Sequence, residues 1–436
     1  MLSAFCPLGI LRMRLLIDLT DLAAWSGPFT GIEQTVFNLA SRYADRPDVG
    51  FFVFDGVERR FSSIEFEQVR RHLEGRDTRI RSRWLTAAHQ AFDRLPLAIR
   101  DLIPSQASRR VRRVLEHALH VWPARDERIP FTQDCVVLAP GEGWHDAGML
   151  PELCKLKRQI GFRLAAVVYD LMPVFHPHLF PLGFSRQYHG YMTTLVSEAS
   201  ALFAISRATE NDVKRFCAQE RLPVPEVHVF RLGDSLTPPT AVAPETPIPP
   251  GDFILAVGLE WRKNAILLYQ MLKLARQEGI ALPLIAIAGR PSWIRRNHEL
   301  LESLLTRDPE IRGQVQILTG LDDSRLAWLY RNCRFTVFPS VCEGWGLPVA
   351  ESLRYGKLCL ASSASSIPEV GGDLVEYASP FDPRGFLDLV CRYLDPQRLA
   401  ERETQIRARY RPQDWDESFA RFDGLLRRAL GSPRTS

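Results

Sequence analysis

The chain has 436 residues, and at about 150 residues per domain that length predicts two or three domains, each able to bury a substantial core. Apolar residues make up 46% and charged residues 24%, which excludes wholesale disorder, collagen-like repeats and coiled coil. Lysine plus arginine exceed aspartate plus glutamate by 55 − 51 = +4, too little over this length to imply a nucleic-acid partner, so any basic patch is local.

From the N-terminus, the apolar opening Met1 to Leu11 lacks a basic leader and a small-residue cleavage site, and Pro7 interrupts it. No secretory signal is expected. Met13, just ahead of a strand-like run, is a candidate natural start. No uninterrupted apolar run approaches the ~20 residues needed to cross a bilayer. The eight cysteines show no CxxC spacing, so the expected setting is a reducing cytoplasm, with the inner face of a membrane as a further expected location.

Short aliphatic runs then recur at Leu15 to Leu19, Gly50 to Phe54, Cys135 to Ala139, Leu164 to Tyr169, Ala201 to Ile205 and Val227 to Leu232. Near-continuous apolar runs of strand length predict parallel strands covered on both faces. One stretch breaks the rhythm. Between Arg76 and Arg113 there are ten arginines interleaved with residues such as Trp84, Phe92, Leu95 and Ile99, which predicts a basic helical insertion over about 76–128. Its plainer reading is an exposed helical hairpin packed on the first domain; its other reading is a surface lying on anionic lipid, a peripheral membrane contact.

The segment Leu236 to Gly251, LTPPTAVAPETPIPPG, cannot support a continuous helix or central strand and predicts an interdomain linker. After it the rhythm returns at Phe253 to Val257, Leu284 to Ala288, Val315 to Leu318, Phe335 to Phe338 and Lys357 to Ala361, separated by helix-length segments such as Ala265 to Gln277 and Asp323 to Arg331. The expected fold class is α/β, two doubly wound Rossmann-like domains facing across a cleft. The first spans 1–240, the second 251–410, and 411–436 forms a C-terminal helix expected to cross back to the first domain.

The sharpest chemical signal is Ser340-Val-Cys-Glu-Gly-Trp-Gly-Leu-Pro-Val-Ala-Glu351. Gly344 and Gly346 permit a tight loop with exposed amides, and Pro348 suits a first helical turn, where no amide donor is needed. The combination predicts an anion-binding helix start able to hold a diphosphate. Glu343 and Glu351 flank the loop, and carboxylates are good acceptors for the hydroxyls of a sugar or a ribose. The bland alternative is a capped helix whose glutamate only complements the dipole. Upstream, Val257-Gly-Leu-Glu-Trp-Arg-Lys-Asn264 places Arg262 and Lys263 together at a strand end, where a cationic pair stabilises charge on a leaving diphosphate.

These motifs, with the later Ser366-Ile-Pro-Glu-Val-Gly-Gly372, resemble the retaining GT-B glycosyltransferases of the large family 4 group, most densely over about 250 to 395. In the first half, Phe29-Thr-Gly-Ile-Glu33 resembles the family's glycine loop and Ile205-Ser-Arg-Ala-Thr-Glu210 its strand-to-helix serine segment. The resemblance implies that Glu343 contacts hydroxyls of the donor sugar and Glu351 the nucleotide ribose. It implies further that Arg262 and Lys263 bind the diphosphate, that Gly344, Trp345, Gly346 and Leu347 supply amides, and that Gly31 lies where phosphate and acceptor meet. Val168-Tyr-Asp-Leu-Met-Pro173 corresponds to a stretch that often reads His-Asp-x-x-Pro in relatives; Tyr169 stands in place of the histidine, and Asp170 is retained.

His176 and His178 flank a proline and have no obvious third ligand, which favours a loop over a metal site. Asp18 with Asp21, and Asp322 with Asp323, are the other acidic pairs. With cations already serving the diphosphate, no obligatory metal or cofactor is expected beyond a nucleotide-diphosphate sugar as substrate. The expected activity is transfer of a hexose or deoxyhexose, mannose or rhamnose by analogy, to a saccharide or lipid-linked acceptor in surface polysaccharide synthesis. A nicotinamide-dependent oxidoreductase is disfavoured because Asp18-Leu-Thr-Asp21 replaces the Gly-x-Gly-x-x-Gly turn. A catalytically inactive binding or scaffold protein of the same fold is the remaining alternative.

Overall fold

The computed structural model describes residues 14–25, 29, 31–56, 58–74, 129–144, 148–180, 183–234, 249, 251–289 and 295–431, with only the backbone at 295–299. Met13, the basic insertion and all but Pro249 and Gly251 of the proline-rich segment lie outside the described residues.

Two sheets carry the fold. The first contains β1 (Arg14–Asp18), β2 (Val49–Asp55), β3 (Arg60–Ile64), β4 (Cys135–Ala139), β5 (Arg163–Val168), β6 (Ala201–Ala204) and β7 (Glu226–Val229), in the order β3-β2-β1-β4-β5-β6-β7. The second contains β8 (Phe253–Val257), β9 (Leu284–Ala288), β10 (Val315–Leu318), β11 (Thr336–Phe338), β12 (Cys359–Ser362) and β13 (Glu376–Ala378), in the order β10-β9-β8-β11-β12-β13. Every neighbouring pair of the second sheet is parallel. In the first, β1 pairs parallel with both β2 and β4, and β4 with β5. These are the two doubly wound α/β layers that the spaced aliphatic runs predict.

Two strands depart from that expectation. β3 is antiparallel to β2, with Phe51 opposite Ile64 and Phe54 opposite Phe61. Its sequence, RFSSI, has no apolar run, and its burial alternates, with Ser62 and Ile64 buried and Phe61 and Ser63 partly exposed, because an edge strand needs only one face buried. β13 also falls outside the expected list, being three residues long with a polar start. Elsewhere the differences are at the ends: β7 stops at Val229 rather than Leu232, and β12 begins at Cys359 rather than Lys357.

The cores follow from the strand composition. Leu16, Ile17, Phe52, Val136, Val137, Leu138 and Ala165 lie within the first sheet's interior. In the second, Phe253, Leu255, Ala286 and Ala288 pack with Leu329, Tyr330 and Cys333. The helix Ala265–Gln277 turns Leu268, Met271, Leu272 and Ala275 inward at helical spacing, as an amphipathic segment must, and packs beside the helix Pro383–Tyr393. Each such large apolar side chain contributes roughly 1.5–3 kcal/mol on burial.

The chain packs as two compact units. One comprises the described residues of 1–167, 191–202 and 426–436; the other comprises those of 168–190 and 203–425. Within the second unit, Phe422 of the helix Trp415–Leu430 packs its ring 5.0 Å from both Phe203 and Phe230. Among the described residues, no helix is long and apolar enough to cross a membrane.

Candidate active site

In a doubly wound sheet the crevice forms beyond the carboxyl ends of the strands where the strand order reverses, which in the second sheet is between β8 and β11. Both charged motifs of the sequence leave those two strand ends. After β8 the backbone turns at Gly258, whose φ is +108°; a Cβ there would lie 2.5 Å from Lys263 Cγ. Only glycine allows the lysine to fold back over the strand end. A single helical turn, Trp261–Lys263, follows, and Asn264 (φ +60°) closes it by donating from Nδ2 to the carbonyls of Pro339 (3.1 Å) and Pro380 (2.7 Å).

After β11 the chain is tied to that turn. Val341 N donates to Arg262 O at 2.7 Å, and the Ser340 hydroxyl lies 2.8 Å from Arg262 O and 2.6 Å from Glu343 Oε1. Glu343 thereby meets both cations: Arg262 Nη1 is 2.5 Å from its Oε2 and Lys263 Nζ is 2.8 Å from its Oε1. Lys263 is 9% exposed and Glu343 8%, and the ammonium sits 4.6 Å from the centre of the Phe338 ring. Burial favours a neutral carboxyl, but Arg262 and Lys263 outweigh it and hold Glu343 below its ordinary value. Burial and then Arg262 pull Lys263 below its ordinary value. Burial works against charge on Arg262 too, but Glu343, Glu260 and Asp170 more than offset it and keep the guanidinium protonated.

The glycine loop is held from behind. Ser366 Oγ donates toward Glu343 O (2.8 Å) and Trp345 O (2.7 Å), while Ser365 Oγ accepts from Glu343 N at 2.8 Å. A Cβ on Gly344 would stand 2.2 Å from the Tyr169 carbonyl, and that carbonyl is fixed by Thr209 Oγ1 at 3.0 Å. Gly346 has φ +113° and caps the helix Leu347–Arg354. Among the described residues, no hydrogen bond engages the amides of Gly344, Trp345, Gly346 or Leu347. Trp345 is buried, with the Arg231 guanidinium 5.8 Å from its ring centre.

Glu351 is 8% exposed and accepts a hydrogen bond of 2.8 Å from Tyr330. Its carboxyl is pushed up to about 6, chiefly by burial. Asp170 is also pushed up to about 6 by burial, with the Met172 amide and Arg262 pulling the other way; its Oδ1 accepts from Met172 N at 2.9 Å. Tyr169 is buried, and its carbonyl faces Gly344. The structure therefore gathers Arg262, Lys263, Glu343, the glycine loop, Glu351, Tyr169 and Asp170 in the second unit. Gly31 belongs to the first unit, where it begins the helix Gly31–Tyr43 and accepts from Thr35 Oγ1 at 2.7 Å.

The structure adds residues that the sequence alone did not single out for a role. Ser340, Ser365 and Asn264 position the charged triad without carrying charge. Glu369, from the Ser-Ile-Pro-Glu motif, accepts from Arg207 N (2.8 Å) and Ala208 N (2.7 Å) at the start of the helix Arg207–Glu220. Of the acidic pairs, Asp322 caps the helix Asp323–Asn332 through Arg325 N at 2.8 Å, and Asp18 Oδ1 accepts from Thr20 N at 3.0 Å.

Comparison with known proteins agrees with this geometry. Residues 245–407, which contain the whole charged triad and glycine loop, match the family Glycosyl transferases group 1. The serotype-specific mannosyltransferase WbdA of Escherichia coli is 28% identical over 249 residues, covering 52% of this chain and 29% of that protein. O-antigen chain mannosyltransferase B of Escherichia coli is 34% identical over 132 residues, covering 30% of this chain and 33% of that protein. The chain thus spans about a third or less of the length of either relative. Among solved structures, Alr3699/HepE of Anabaena in complex with UDP and glucose superposes with a TM-score of 0.57 at 15% identity, covering 95% of this chain and 99% of that one. The two-sheet GT-B architecture is shared with that structure.

Proposed function

We propose that the protein is a retaining glycosyltransferase of family 4. In this reading it moves a hexose or deoxyhexose, with mannose or rhamnose as the leading candidates, from a nucleotide-diphosphate sugar to a saccharide or lipid-linked saccharide acceptor in surface polysaccharide synthesis. The observation that carries the reading is the partly buried Arg262 and the buried Lys263 converging on Glu343 beside a glycine loop whose amides are unengaged among the described residues. Two cations and a row of amides suit a diphosphate, and a carboxylate suits sugar hydroxyls. The named mannosyltransferases of Escherichia coli support the sugar, and the UDP and glucose bound by HepE support a nucleotide-sugar donor.

The chemistry follows from those groups. The bond between the anomeric carbon and the diphosphate oxygen breaks while the acceptor oxygen bonds to the same face of that carbon. The acceptor's proton passes to the departing phosphate oxygen. Arg262, Lys263 and the loop amides stabilise the charge on that oxygen, so no separate protein base and no metal enter the scheme. Glu343 and Asp170 orient the sugar and Glu351 the ribose, with the domain 251–410 carrying the donor and the domain 1–240 the acceptor. The site works in the cytoplasm, at the inner face of the membrane where lipid-linked acceptors reside. Thermal-shift screening against GDP, UDP, dTDP and ADP, followed by transfer assays with the matching nucleotide sugars, tests the proposal: one nucleoside diphosphate raises the melting midpoint above the others. A midpoint unmoved by all four, with no transfer from any of their mannose, rhamnose or glucose conjugates, refutes it.

A further inference from the structure

The ion triad poses a problem for the ligand it is built to hold. Arg262 Nη1 and Lys263 Nζ are the donors a diphosphate requires, yet both are already turned onto Glu343, at 2.5 and 2.8 Å. The carboxylate and the ammonium are each more than nine-tenths buried, so water and salt screen little of what happens among them. A diphosphate reaching the same donors brings like charge against a carboxylate that has nowhere to dissipate it. Either Glu343 takes a proton or its side chain turns away. The two cations that hold it below its ordinary value oppose protonation. Turning away is available without moving the loop, because Ser365 and Ser366 anchor Glu343 through its main-chain N and O, leaving the side-chain torsions alone to change.

Resting on the glycosyltransferase reading above, we propose that Glu343 is an internal competitor for the diphosphate, which yields to the intact donor and expels the nucleoside diphosphate product. The asymmetry lies in what the displaced carboxylate finds. An intact donor offers sugar hydroxyls that donate to it, so the bonds lost to Arg262 and Lys263 are replaced. The nucleoside diphosphate left after transfer has lost the transferred sugar and its hydroxyls, and the displaced carboxylate is then buried, charged and without those donors. Re-forming the triad drives the product out. The Ser340 hydroxyl, 2.6 Å from Oε1, stabilises the expelling position.

Isothermal titration with GDP, UDP, dTDP and ADP, and with the corresponding nucleotide sugars, tests this on the full chain. Glu343→Gln removes the negative charge at constant shape and is expected to bind its nucleoside diphosphate about tenfold tighter than the wild type, from relief of like-charge repulsion alone. The intact donor gains less, and turnover falls. Ser340→Ala shifts product affinity the same way by a smaller factor. If Glu343→Gln does not fold, Glu343→Asp carries the test, because its shorter side chain cannot span both cations. Unchanged or weaker product binding by the glutamine variant, or by the aspartate variant in its place, overturns the competitor role if Arg262→Ala weakens wild-type binding; the diphosphate site itself then stands. Wild-type binding that is indifferent to Arg262→Ala, or an absence of binding by wild type and variant alike, overturns both. Binding seen only in the variant supports the competitor.

Discussion

The two sheets reverse their strand order in the same way, β2-β1-β4 in the first and β9-β8-β11 in the second, yet the side chains at the two reversals are opposite in charge. Beyond β8 and β11 stand Arg262 and Lys263 with one carboxylate between them. At the end of β1 stands Asp18 and just past it Asp21, with a Cβ on Gly141, beyond β4, reaching to within 2.6 Å of Asp21 Oδ2. Trp144 and Tyr191 meet edge to face there at 5.7 Å, and burial, followed by Asp21 and Asp18, lifts the Tyr191 hydroxyl far above its ordinary value. One architecture thus presents a cationic crevice in one unit and an acidic, aromatic one in the other. What each can bind is written in the residues at the strand ends, not in the fold.

The comparison breaks most sharply if the cations are not the working groups of the second crevice. Arg262→Ala and Lys263→Ala should each lower kcat/KM for sugar transfer by roughly 10²–10³, the range for removing one preorganised donor from a developing oxyanion. Far-ultraviolet circular dichroism should stay unchanged, since neither side chain belongs to the hydrophobic core. Steady-state kinetics with a mannose donor measure it, and transfer at wild-type rates by both variants would mean that the charge contrast has no catalytic meaning.

A smaller effect separates the two carboxylates that flank the glycine loop. Glu351 is raised from 4.5 to about 6 by burial, so the folded protein holds its proton more tightly than the unfolded chain does. Its contribution to stability is complete below pH 4.5 and is lost as pH rises through about 6. Glu343 is held low, so its contribution is present above 4.5 and is lost as pH falls through its folded value. Glu351→Gln should therefore flatten the decline in unfolding free energy between pH 4.5 and 6 by about 2 kcal/mol, while the acid limb governed by Glu343 remains. Urea denaturation at half-unit steps of pH reads both limbs, and an unaltered decline in the variant would remove Glu351 from this account.

Much of this was legible in the sequence, and the pattern of success has a physical basis. Strands buried on both faces announce themselves as aliphatic runs, which is why β4, β8 and β9 match their expected bounds to the residue. β3 did not, because RFSSI has one wet face and no run to detect. Glycine requirements were legible where geometry is severe, at Gly344 against the Tyr169 carbonyl and at Gly346 with its positive φ. The pairing of Glu343 with Arg262 and Lys263 was not. The sequence separates them by some eighty residues, and each reads by itself as ligand-directed, so nothing local says that they hold one another. The serines behind the loop were equally silent, since a hydroxyl that bonds to main-chain oxygen has no spacing rule.

The smallest expected effect serves as the control on the other side of the comparison. Thr20 stitches the end of β1 to β2: its Oγ1 donates to Asp18 Oδ1 at 2.5 Å and accepts from Phe54 N at 2.9 Å. Thr20→Val keeps the branched shape and removes the hydroxyl, which should cost about 1 kcal/mol of stability as the hydrogen bonds are lost. Because the change is confined to the acidic crevice, nucleoside diphosphate affinity should match the wild type in calorimetry, even as thermal unfolding begins at lower temperature. A variant that lost diphosphate affinity in step with stability would show that the cationic crevice depends on the integrity of the acidic one, and the division of chemistry between the two strand-order reversals would have to be abandoned.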